Sequence, residues 1–80
     1  MAEKQKISAA FGVVLRSYRQ ERGLTQEQLS ERVDVVHSFI SGLELGTRAP
    51  NLQMIFKLAA ALDIEPGDLV NATAHRLASK

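Results

Sequence analysis

Cysteine is absent from these 80 residues. That excludes a disulfide scaffold, a thiolate metal site and thiol catalysis, and it fits a reducing, cytoplasmic setting. No apolar run approaches the roughly 20 residues that span a bilayer. The longest candidate, Ile7 to Leu15, runs straight into Arg16 and Arg19, which argues against a signal peptide and a membrane partner. Two prolines and five glycines leave no linker or low-complexity tract. No segment alternates with the period of two that a strand needs, and no internal repeat is visible. Neither sign of charge dominates: 10 Lys and Arg against 9 Asp and Glu give +1, so a strongly basic nucleic-acid footprint is missing.

What is present is a globular composition, 45% hydrophobic and 24% charged, unlike that of a disordered chain. A chain this short makes one domain, residues 1–80, and buries only about 60–65% of the surface its unfolded form exposes, so its core must be regular. The charge is unevenly spread. Lys4, Lys6, Arg16, Arg19 and Arg22 outnumber Glu3 and Glu21 in residues 1–22, whereas Glu27, Glu31, Asp34 and Glu44 outnumber Arg32 in residues 23–46.

Apolar residues recur with the helical period. Phe11, Val14, Leu15 and Tyr18 define a first amphipathic helix over about 7–22, with residues 1–6 expected to be flexible and Gly23 ending the helix. Thr25 and Gln28 have the spacing of a capping box opening a second helix, whose inward pair is Leu29 and Val33. After a break at Asp34 and Val35, a third helix is expected from about Val36 to Leu45, with Ile40 and Leu43 inward and Gly46 closing it. Thr47 to Pro50 reads as a loop. Asn51 can cap a fourth helix with the face Leu52, Ile55, Phe56, Ala59 and Leu62. Glu65-Pro66 opens a fifth, about 65–78, with proline where its missing N–H matters least. The expected class is all-α with five helices.

The stretch Thr25 to Gly46 carries the functional signal. Two short helices meet at a tight break, Ser30 supplies a small side chain at their crossing, and Asp34 occupies a turn where positive φ is expected. Val33, Val35, Ile40 and Leu43 would lock the pair. This is the outline of a helix-turn-helix, whose second member projects its leading residues at dimensions suited to a DNA major groove.

Residues Phe11 to Val70 resemble the phage-repressor and Cro-like (XRE-type) helix-turn-helix transcriptional regulators. The most specific pieces are L-R-x-x-R-x-x-R-G-L-T-Q-E-x-L, I-S-x-L-E-x-G and L-A-A-A-L-D-I-E-P. The short chain also looks like restriction–modification controller proteins, small prophage repressors and antitoxin-type regulators. The resemblance implies a compact lambda-repressor-like domain and sequence-specific binding of double-stranded DNA. By the same resemblance Gln26 binds a phosphate at a helix start, the alternative being a solvent-exposed Gln. Val36, His37, Ser38, Ser41 and Gly42 match the outward positions of the recognition helix, Gly42 permitting only close backbone approach. Thr47 and Arg48 match the loop that touches the DNA backbone, and Arg19 with Glu44 matches a structural ion pair. Three residues depart from the family pattern. Val36 replaces a side chain that caps the helix, at a cost of roughly 1 kcal/mol, although it could touch a thymine methyl instead. Asp34 replaces the common turn glycine, and Phe39 a common tyrosine. The recognition helix also lacks Arg, Lys, Asn and Gln.

Val70, Ala74 and Leu77, at i, i+4 and i+7, form a stripe beside Leu69, and the small residues Ala72, Thr73 and Ala78 would admit a second helix. A homodimer on a palindromic operator is expected through this surface, the alternative being a C-terminal helix packed on its own domain. An enzyme is not expected. His37 and His75 are far apart, no nucleophile arrangement or phosphate loop exists, and Asp63, Glu65 and Asp68 surround a helix start, where acids suit the dipole. No metal, cofactor or small-molecule ligand is implied. The competing class is a protein-interaction or antitoxin-type module, supported by apolar residues expected outside the core: Val13, Leu45, Met54 and Val70.

Overall fold

The structure is a computed structural model describing residues 2–79. It consists of five helices: α1 (Ala2–Glu21), α2 (Gln26–Val33), α3 (His37–Leu45), α4 (Leu52–Leu62) and α5 (Pro66–Ala78). Helix α1 starts at Ala2 rather than near residue 7. Residues 2–6 are all good helix formers, and no breaker separates them from the amphipathic stretch that follows. Met1 lies outside the described residues.

The boundaries follow from cap chemistry. The Thr25 hydroxyl accepts from Gln28 N at 3.0 Å while Gln28 Oε1 accepts from Thr25 N at 2.9 Å, completing the capping box of α2. Asp34 ends α2 in the left-handed region at φ 60°, as the turn requires, and Gly46 ends α3 at φ 82°. Asn51 Oδ1 accepts from Met54 N at 2.8 Å and starts α4. Helix α3 begins at Val36 without a side-chain cap.

Helix α1 packs against α3 and α5, α2 against α3 and α4, and α4 against α5. Phe11, Val14, Leu15, Leu29, Val33, Ile40, Leu43, Ala59, Leu62 and Leu69 meet in one core, as their spacing predicts, with Tyr18 and Val35 packed at its margin. Helix α4 is rotated from its expected register. Leu58 is fully buried, whereas Leu52 and Phe56 are 69% and 57% exposed. The inward stripe is Ile55, Leu58, Ala59 and Leu62, and Phe56 lies about 100° round the helix from Ile55. Two arginines close the far end of α4: Arg22 Nε donates to Leu62 O at 2.7 Å, and Arg32 Nη1 to Ala61 O at 3.3 Å. These cations meet the negative end of a helix dipole.

Candidate nucleic-acid interface

The turn between α2 and α3 is built so that α3 begins at the surface. Asp34 N bonds Glu31 O, Val35 N bonds Ser30 O, and Val35 tucks against the core while the next residues point outward. Val36 is 69% exposed, and His37 and Ser38 are exposed beside it. Ser41, one turn on, is half-buried. Leu45 continues the outward stripe of α3 and is 74% exposed.

The role expected of Gly42 needs correction: it is buried and is not an open surface position. A Cβ there would stand 2.9 Å from Arg48 Cδ, so its missing side chain lets Arg48 lie across α3. Its carbonyl anchors the following loop, accepting from Thr47 N at 3.0 Å, Arg48 N at 3.2 Å and Thr47 Oγ1 at 3.2 Å. The Arg48 guanidinium rests over the Phe39 ring, 5.6 Å from its centroid, a cation–π arrangement. Phe39 thus holds a guanidinium against a helix that contains no Lys or Arg.

Behind this surface runs a continuous polar network. Arg19 Nε donates to Glu44 Oε2 at 2.6 Å and Arg19 Nη2 to Glu44 Oε1 at 3.0 Å, a fork-to-fork pair between α1 and α3. Arg19 Nη1 donates to Leu24 O at 2.7 Å. The bonds to Glu44, reinforced by its charge and opposed by burial, hold the Arg19 guanidinium above its ordinary pKa. Gln26 Nε2 donates to Glu44 Oε1 at 2.9 Å, and Gln26 Oε1 lies 2.9 Å from His37 Nε2. Among the described residues, no buried side-chain polar atom lacks a partner.

Two glycines bring the helices together: Gly12, which sequence reasoning passed over, and Gly46, which was expected only to close α3. A Cβ on Gly12 would lie 2.5 Å from the carbonyl oxygens of both Leu43 and Glu44, so α1 touches the backbone of α3 there. A Cβ on Gly46 would lie 2.9 Å from Ala9 Cα. A helical glycine gives no sign in sequence of which partner it faces.

On the side of the molecule formed by α1 and α5, Val70 and Leu77 are 50% and 43% exposed, and Ala74 is exposed between them. They border a cavity of about 320 Å³, further lined by Ile7, Phe11 and Ile55. Thr73 does not belong to the outer stripe: it is buried against its own domain, its hydroxyl bonded to Leu69 O at 2.8 Å. Ala72 likewise packs on the core. Val13 is 43% exposed, whereas Met54 is partly buried against the core. The described residues contain no cluster of potential metal ligands and no helix long and apolar enough to cross a membrane.

Two short helices at a tight left-handed turn, the second presenting its start to solvent from a five-helix scaffold, define a helix-turn-helix protein of the lambda-repressor-like fold. The helix-turn-helix family model matches residues 15–69, and the chain belongs to that family of transcriptional regulators, which are not enzymes. It is 35% identical over 68 residues to the control protein C.BamHI of Bacillus amyloliquefaciens, covering 84% of each chain. The restriction–modification controller protein C.AhdI of Aeromonas hydrophila superposes with a TM-score of 0.75 at 44% identity, covering 78% of this chain and 94% of that one. The clp gene regulator ClgR of Corynebacterium glutamicum superposes with a TM-score of 0.85 at 27% identity, covering 92% and 96%.

Proposed function

We propose that this protein is a sequence-specific, double-stranded-DNA-binding regulator that places the leading end of α3 in the major groove. It would act in the cytoplasm as a homodimer on a palindromic operator, in the manner of a controller protein. The observation that carries this reading is the exposed cluster of Val36, His37 and Ser38 with Arg48 lying along the same helix. His37 and Ser38 exchange hydrogen bonds with base edges, Val36 touches a thymine methyl, and Ser41 reaches from one turn further back. Arg48 meets phosphates, as does Gln26 through its remaining amide hydrogen, and Thr47 joins them when its hydroxyl turns from Gly42 O to the DNA. Arg19 and Glu44 hold the frame. The cytoplasmic assignment rests on the lack of cysteine and on the location that such a regulator requires.

Salt titration of duplex binding tests the reading. The logarithm of affinity should fall against that of salt with a slope near −0.9 per neutralised phosphate. Arg48→Ala should weaken all sequences alike and flatten the slope by about one unit, while His37→Ala and Ser38→Ala should alter preference among sequences. Absence of duplex binding at low salt would instead favour a protein-interaction or antitoxin-type module. The exposed pair Leu52 and Phe56, four residues apart on α4, supports that second reading.

A further inference from the structure

The polar network behind α3 has a direction. Glu44 is its fixed end: its side chain is 3% exposed, and its carboxylate receives Arg19 on both oxygens. A carboxylate held by a guanidinium only accepts hydrogen bonds, so Gln26 must turn its NH2 toward Glu44 Oε1, at 2.9 Å. Gln26 Oε1 is thereby aimed at His37 Nε2, also at 2.9 Å, and a carbonyl oxygen likewise only accepts. Nε2 of His37 therefore carries a hydrogen whether the ring is neutral or charged. The other nitrogen, Nδ1, is left for whatever the start of α3 meets.

We propose that Glu44, acting through Gln26, fixes the hydrogen-bond polarity of His37, so that its neutral ring reads DNA as an acceptor, taking a hydrogen from adenine N6 or cytosine N4. Gln26 is a positioning residue for this reading in addition to any contact it makes with phosphate. Without it the two ring tautomers interchange, Nδ1 becomes a donor part of the time, and guanine or thymine acceptors are admitted. This inference rests on the duplex-DNA reading above.

The experiment selects bound fragments from a random duplex pool in mildly alkaline buffer, using wild type, His37→Ala and Gln26→Met. The position whose preference collapses in His37→Ala identifies the base that His37 reads. Wild type should prefer adenine or cytosine there, and Gln26→Met should reduce that preference about threefold to tenfold, the worth of one hydrogen bond, beyond any uniform loss. A preference for guanine or thymine, or a Gln26→Met effect equal at all positions, overturns the proposal. Failure to bind any duplex removes the DNA reading itself. The ring ¹⁵N shifts of His37 in the free protein test the clamp independently of DNA. In wild type they should sit at the Nε2–H limit, and in Gln26→Met they should move toward the tautomer average of imidazole in solution. Shifts at the Nδ1–H limit, or identical shifts in the two proteins, overturn the clamp.

Discussion

At Gly12 a single hydrogen where other residues carry a methyl lets α1 rest on the backbone of α3. The same helix then supplies Arg19, which grips Glu44, so the depth of this crossing sets where α3 stands. Adding a methyl forces two helices apart, because the obstacles are backbone carbonyls 2.5 Å from the new atom and not the tip of a flexible side chain. Gly12→Ala should therefore destabilise the fold by about 1–3 kcal/mol despite the better helix propensity of alanine. A denaturant midpoint equal to or above that of wild type would refute the close crossing. Single residues of this kind were the least legible in the sequence. The Arg19–Glu44 pair and the outward positions of His37 and Ser38 could be placed from the resemblance to the helix-turn-helix family. The work done by Gly12, and the burial of Gly42 beneath Arg48, depend on neighbours from other segments that no local pattern reveals.

Helix α3 begins without the side-chain cap that opens α2 and α4. Thr25 and Asn51 cap their helices with side-chain oxygens, whereas Val36, at φ −73° and ψ 151°, has the backbone of a cap residue but nothing to offer the free amides. Its stability comes from Ile40 and Leu43 in the core and from the loop anchored on Gly42 O. Val36→Ser places a hydroxyl in a backbone already suited to it, so the midpoint of chemical denaturation should rise by the equivalent of about 1 kcal/mol. An unchanged or lowered midpoint would mean that Val36 contributes packing of equal worth, contrary to its 69% exposure. Cap chemistry is local, which is why the starts of α2, α4 and α5 and the left-handed turn at Asp34 were readable in advance. The rotation of α4 was not. Leu52, Ile55 and Phe56 are all apolar, and only the packing of α2 and α5 decides which edge of that broad stripe is buried.

For the molecule as a whole, the distribution of charge turns out to serve the fold before it serves a ligand. Arg19, Arg22 and Arg32 are committed to Glu44 and to carbonyls at the ends of neighbouring segments, so the basic excess of residues 1–22 is no measure of the surface open to phosphate. If, as proposed, the domain offers a DNA groove only Arg48 and a few small polar groups, it would gain most by doubling the site. The α1–α5 side offers the means: Ile7, Val70 and Leu77 are each 43–50% exposed around an apolar cavity. A two-fold axis beside α5 would bring each copy's Leu77 and Val70 against the other's cavity, burying both sets at once. A carboxylate at position 77 would have to be desolvated there without a partner. At micromolar concentration, sedimentation equilibrium should therefore give twice the chain mass for wild type and a monomer for Leu77→Asp, and the variant should bind an operator more weakly because half-sites are then filled one at a time. A monomeric wild type would remove the dimer, and a dimeric Leu77→Asp would move its interface away from α5, where Leu52 and Phe56 on α4 are the next exposed apolar pair.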